Sequence, residues 1–168
     1  MNRETRILVI GYGNPGRQDD GLGPALAELL EAQELPGVTV QSDYQLTVED
    51  AVTVAEHDVV VFVDASVTGE APFDFTPVTP THTVSFSSHS VTPSMVLGLA
   101  HALFAAETRG YVLGIRGYQF DTFGESLSPR AQTNLDAALR ALRTRLADAL
   151  HEHRRDLVPS TVERARDK

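Results

Sequence analysis

Two aspartates and a histidine are the side chains in this sequence best placed to do chemistry. Asp20 lies in the loop after the first apolar run, Asp64 at the end of the third, and His89 in a loop after Phe86. In a parallel sheet, the loops at the carboxyl ends of the strands collect into one crevice, usually where the strand order reverses. If runs one and three are neighbours, both carboxylates face that crevice. Two carboxylates and an imidazole form an O,O,N donor set suited to a divalent metal such as zinc, nickel or manganese, with positions left open for substrate or water. Each residue also has a plainer role available. Aspartate before a helix is commonly a cap, although Pro24 would sit too deep in a helix capped at Asp20. Asp64 could be a satisfied loop anchor, since burying a carboxylate without a partner is costly. His89 could be a polar loop residue, Asp19 competes with Asp20, and His57, His82 and His101 are blander still, His101 on the outer face of its helix.

The elements that must position these residues alternate strand, helix, strand, helix, strand, which indicates an α/β domain with a largely parallel sheet. Residues 7–10 (Ile-Leu-Val-Ile) are apolar throughout, as expected of a strand buried on both faces. A glycine-rich loop follows, then a helix capped near Gly23 with Pro24 in its first turn and Ala25, Leu26, Leu29 and Leu30 facing the core. Residues 38–40 begin a second strand, 48–56 read as helix, and 59–63 are a third strand ending at Asp64. Phe73 and Phe75 alternate with polar neighbours, so 73–78 reads as a short strand exposed on one side, with 83–86 as part of the same system. Thr92-Pro93 opens a helix with the inner stripe Val96, Leu99 and Leu103. Residues 111–115 form the last strand. Ser128-Pro129 opens the final helix, with Leu135, Leu139, Leu142 and Leu146 at helical spacing. The domain is expected to span 1–150, with 151–168 a charged, flexible tail.

The stretch Gly11-Tyr12-Gly13-Asn14-Pro15-Gly16 spells G-x-G-x-x-G, yet its context argues against a dinucleotide. Pro15 lacks the N–H that would face a phosphate, the helix does not open at the third glycine, and the Lys-Ser/Thr ending of a P-loop is missing. A serine triad built on Ser88 or Ser90 lacks the G-x-S-x-G elbow.

Composition narrows the choice further. The chain has 168 residues, 42% hydrophobic and 22% charged, with no cysteine. Thiolate metal sites, disulfides and a cysteine nucleophile are therefore excluded, so any metal is held by His, Asp or Glu. A net charge of −9 is the opposite of what a nucleic-acid partner requires. No apolar run reaches the length of a membrane span, and no signal-type apolar stretch opens the chain. The expected compartment is the cytoplasm.

Four segments in order, GYGNPGRQDDGLGP at 11–24, VVFVDA at 60–65, SSHSVTP at 87–93 and GESLSP at 124–129, resemble the nickel–iron hydrogenase maturation endopeptidases. The resemblance runs from about residue 7 to residue 146. It implies a three-layer α/β/α sandwich of the phosphorylase/hydrolase-like kind, with a five-stranded, mostly parallel sheet containing one antiparallel strand. It also implies an endopeptidase that removes a short C-terminal extension from the hydrogenase large-subunit precursor once nickel is inserted. The family's metal-contacting acids fall on Asp20 and Asp64 and its histidine on His89, with the catalytic role shared between Asp20 and Asp64. Relatives often carry Glu at the first position, and Asp43-Tyr44-Gln45-Leu46 departs from a glycine-rich stretch of the best-known members. In this resemblance the nickel belongs to the precursor, and the protein is a monomer that meets it transiently.

Two other classes compete. GYGNPG also looks like the opening of peptidyl-tRNA hydrolases, which share a similar architecture but follow the loop with a catalytic histidine, where this chain has Arg17-Gln18-Asp19-Asp20. The third reading is a non-catalytic partner-binding domain. Incubation with nickel-loaded and apo precursor separates the three, because only the first predicts nickel-dependent cleavage.

Overall fold

A computed structural model describes residues 3–82 and 90–158. The first apolar run is β1 (Ile7–Tyr12), and the third is β3 (Val59–Ser66). The two pair in parallel, from Ile7 opposite Val59 to Gly11 opposite Val63. Leu8, Ile10, Val60 and Phe62 point to one face of the sheet, and Ile7, Val9, Val59, Val61 and Val63 to the other; all are fully buried. β2 (Val38–Asp43) lies on the far side of β1. β5 (Arg109–Arg116) pairs in parallel with β3, and β4 (Phe73–Val78) closes the edge antiparallel to β5. The order is β2-β1-β3-β5-β4, so the expected five-stranded sheet with one antiparallel strand is what forms.

The two faces are covered separately. Helices α1 (Leu22–Glu31) and α4 (Pro129–His151) enclose one core, α2 (Asp50–Ala55) and α3 (Pro93–Phe104) the other. This is the three-layer α/β/α arrangement, in which helices shield a parallel sheet on both sides. Helix starts follow their caps: Thr92 Oγ1 accepts from the Met95 N–H at 3.3 Å, Ser128 Oγ accepts from the Ala131 N–H at 3.3 Å, and each is followed by proline. No helix among the described residues is long and apolar enough to cross a membrane.

Several details differ from the sequence expectation. In α1 the buried stripe is Leu22, Leu26, Ala27 and Leu30, and Leu29 is exposed. In α3 it is Val96, Leu97 and Ala100, while Leu103 is exposed. That helix is apolar on two sides, and its period alone does not choose between them. Gly98 decides, because a Cβ there would strike the Thr81 carbonyl. His101 is not turned outward: it is half-buried, and its Nε2 donates to the Thr108 carbonyl at 2.7 Å. Packing also continues past residue 150. Leu157 is buried, Tyr111 donates its hydroxyl to Asp156 Oδ1 at 2.9 Å, and Arg145 Nη1 donates to the Leu157 carbonyl at 2.8 Å. Residues 83–86 lie outside the described residues.

Candidate functional site

The strand order reverses between β1 and β3: from β1 the chain crosses outward to β2, and from β3 it builds the other half of the sheet. Crevices that hold ligands in open α/β sheets form at such switch points. Here the opening can be followed residue by residue. Pairing of β1 with β3 stops at Gly11 and Val63, whereas β3 stays paired with β5 through Asp64, Ala65 and Ser66. Asp64 is therefore inside the strand, not at its tip as the sequence suggested. β5 supplies backbone partners for three residues more, while β1 has turned away.

Asp20 reaches the same place from a 3-10 turn, Gln18–Gly21, ahead of α1. Its Oδ2 accepts the Asn14 N–H at 3.0 Å. Its charge is close enough to Asp64 to disfavour a second charge there. The Asp64 carboxyl is pushed up to about 6, chiefly by burial. The Ala65 N–H, which donates to Oδ1 at 2.8 Å, works against this, the charge of Asp20 adds to it, and a hydrogen bond from the Tyr12 hydroxyl again opposes it. Burial and the Asp64 charge push Tyr12 well above its ordinary range, so it remains a donor. A carboxyl poised near neutrality beside a second carboxylate, with no cation pairing it among the described residues, is suited to taking up a proton.

The neighbouring Asp19, which the sequence left in competition with Asp20, has a different fate. It is fully buried. Its Oδ2 accepts from the N–H groups of Tyr118 (2.8 Å) and Gln119 (2.9 Å) and from the Ser128 hydroxyl (2.7 Å), and its Oδ1 accepts from the Ser128 N–H (2.8 Å). Burial pushes this carboxyl up, but the four hydrogen bonds outweigh it and hold it below the usual carboxylate range. Both of its oxygens are engaged in the interior. Asp19 fastens the first loop to the β5–α4 loop, and Ser128 is the structural content of the GESLSP segment. In the sequence only the motif resemblance favoured Asp20 over it; spacing alone did not separate the two.

The glycines serve packing. A Cβ at Gly23 would meet the Tyr12 and Val63 carbonyls, so α1 can press against the ends of β1 and β3 only without a side chain there. Gly13 has a φ of +144°, and a Cβ would collide with the Asp20 carbonyl. The G-x-G pattern thus brings the Asp20 turn down onto β1, which accounts for it without a phosphate.

His89 lies outside the described residues, as do Ser87 and Ser88. Among the described residues no three His, Cys, Asp or Glu side chains are grouped closely enough to hold a metal, so the Asp20–Asp64 pair needs a third ligand from elsewhere to make such a site. His82 is exposed, and His57 bonds to Thr53 O and Thr39 Oγ1, near the opposite end of the sheet.

No family model matches this chain, and no curated protein matches it. Solved structures do. The [NiFe] hydrogenase maturation protease HycI from Thermococcus kodakarensis is 22% identical, with 84% of this chain and 92% of that one covered and a TM-score of 0.66. The hydrogenase maturating endopeptidase HybD from E. coli is 21% identical, with coverage of 86% and 94% and a TM-score of 0.62. A hydrogenase 2 maturation peptidase from a Thaumarchaeota archaeon is 19% identical, with coverage of 84% and 98% and a TM-score of 0.61. The chain has the fold of these maturation proteases over nearly their whole length.

Proposed function

We propose that this protein is an endopeptidase that removes the C-terminal extension of a nickel–iron hydrogenase large-subunit precursor after nickel insertion. The observation that carries this reading is the pairing of Asp20 with Asp64 at the β1/β3 switch point, in the fold of the maturation proteases. The ordered motifs of the sequence support it, and they assign His89 to the same site.

Nickel enters this reading as part of the substrate. Asp20, Asp64 and His89 complete its coordination and so test whether the precursor is loaded, and the bound ion polarises the scissile carbonyl or a water beside it. Asp64 is the residue we assign as general base. Its carboxyl, raised to about 6, is mostly ionised at neutral pH and basic enough to accept a proton. Asp20 adds to the rise that burial causes in that carboxyl and presents the second oxygen ligand. The protein acts as a monomer in the cytoplasm, where the precursor is assembled.

The experiment is processing of nickel-loaded precursor by wild type, Asp64→Asn, His89→Ala, Asp20→Glu and His82→Ala, with mass measurement of the released peptide. Apo precursor should stay intact throughout. Asp64→Asn should be the most damaged, Asp20→Glu the least of the site variants, and His82→Ala unaffected. Wild-type rates for both Asp64→Asn and His89→Ala would refute the site.

A further inference from the structure

The β5–α4 loop presents a side chain for which the crevice has no use. Phe123 is 91% exposed. A lone exposed apolar residue is ordinary on a protein surface, but the frame that carries this one is not. Gly124 donates its N–H to the Gly16 carbonyl at 2.8 Å and accepts from the Gln18 N–H at 2.7 Å. Thr122 donates its hydroxyl to Gln18 Oε1 at 2.8 Å, Arg17 Nη2 donates to the Phe120 carbonyl at 3.1 Å, and Asp19 takes the N–H groups of Tyr118 and Gln119. The loop is thus pinned along its length to residues 16–19, which lead directly into Asp20. A ring held out on such a frame loses little conformational freedom when a partner covers it. A cavity of about 340 Å³ opens alongside, lined by Gln18, Tyr118, Gln119, Phe120, Asp121 and Thr122. Asp121 and Glu125, both exposed, stand two residues before and after Phe123 in the chain.

We propose that this loop is a docking surface for the protein being processed, and that it takes a segment carrying an apolar side chain beside a basic one. The apolar group covers Phe123. The basic group reaches Asp121 and Glu125, and an arginine there also gains from the face of the ring. Exposed carboxylates contribute little affinity individually but steer a cationic segment and make its capture sensitive to salt. The proposal rests on the endopeptidase reading of the crevice and extends it to recognition of the polypeptide around the scissile bond.

Steady-state processing of nickel-loaded precursor tests it. Phe123→Ala should raise KM about tenfold, as truncation of an interface anchor does, with kcat within about twofold of wild type. Asp121→Asn combined with Glu125→Gln should raise KM and remove the salt dependence of kcat/KM. Phe104→Ala, an exposed aromatic at the other end of the molecule, should change neither. Unchanged KM in Phe123→Ala, with wild type active, would overturn the docking surface and leave the endopeptidase reading standing. A second measurement needs no cleavage: the affinity of Asp64→Asn protein for the precursor should fall about tenfold when Phe123→Ala is added. Equal affinities would overturn the proposal whether or not wild type cleaves, and so would a change from dimer to monomer on Phe123→Ala, which would assign the surface to a second copy of the chain. Failure of wild type to cleave would count against the crevice reading alone.

Discussion

Asp58 and Asp64 lie toward opposite ends of the sheet on the same stretch of chain, Asp58 just before β3 and Asp64 within it, and are treated in opposite ways. Asp58, just before β3, is buried but fully answered. It accepts the Arg6 N–H at 2.9 Å and pairs with Arg3 at 3.1 Å and Arg155 at 3.4 Å. Among the described residues, Asp64 has a backbone N–H, a tyrosine hydroxyl and another carboxylate as its company, and no cation. A compensated carboxylate holds chain ends in place, whereas one left uncompensated keeps a raised proton affinity that folding alone would not select. The amino end of the sheet pairs its buried carboxylate with cations, and the carboxyl end keeps one with a raised proton affinity.

The most severe break in this contrast is Asp64→Asn. The amide keeps the shape but cannot accept a proton, so processing should fall by at least about a hundredfold. Stability should not fall with it. Because the folded carboxyl lies above its unfolded value, ionised Asp64 costs stability at pH above about 6, and that cost disappears as the pH drops toward the unfolded value. At pH 8 the variant should therefore melt at or above the wild-type temperature, and calorimetry would detect a loss. For the free enzyme, kcat/KM should decline as pH falls below about 6, where the base is protonated. Asp20→Asn should move that limb to lower pH, provided enough activity remains to trace it.

Asp19→Asn should come next, and it should destabilise. The amide places an NH2 group against N–H donors that now bond to oxygen, at a cost of about 3 kcal/mol in urea unfolding. The pH dependence has the opposite sign to that of Asp64. Asp19 is held below its unfolded value, so its contribution is present above that unfolded value and lost as pH falls through the folded one. An Asp19→Asn protein whose acid-unfolding curve matches wild type would remove Asp19 from the latch.

Truncation sharpens the amino-end side of the comparison. Ending the chain after residue 153 removes buried Leu157, the Asp156–Tyr111 bond and the Arg155–Asp58 pair, and should cost about 2–3 kcal/mol. Asp58→Ala should cost about 2 kcal/mol, since it leaves the Arg6 N–H without its partner. The smallest effect belongs to removal of 159–168, below about 1 kcal/mol. Melting curves of the three proteins would rank them. A truncation after 153 that melts like wild type would mean that residues 154–158 contribute nothing to the fold.

Much of the site was legible from loop position. The apolar runs at 7–10 and 59–63 indicated strands buried on both faces, which brought Asp20 and Asp64 to the same end of the sheet. Less legible was which of two adjacent aspartates faces the crevice. Asp19 and Asp20 have identical local surroundings in the chain, and the groups that claim Asp19 come from Tyr118, Gln119 and Ser128, about a hundred residues away. Leu29, Leu103 and the segment after 150 were misplaced for a related cause: a helix that is apolar on more than one side, or a short charged segment with one leucine, does not show by its period what will cover it.

By itself, then, the sequence determined the α/β alternation and the helix starts at Thr92 and Ser128. These are local matters of period and capping, written within a few residues. Only the tertiary structure decided that β1 parts from β3 after Gly11, that Asp64 lies within a strand next to Tyr12 with its carboxyl near 6, that Asp19 is spent as a latch, and that Leu157 is packed. Each depends on the surroundings of a group, and burial and charge are set by neighbours distant in the chain, which no local pattern records.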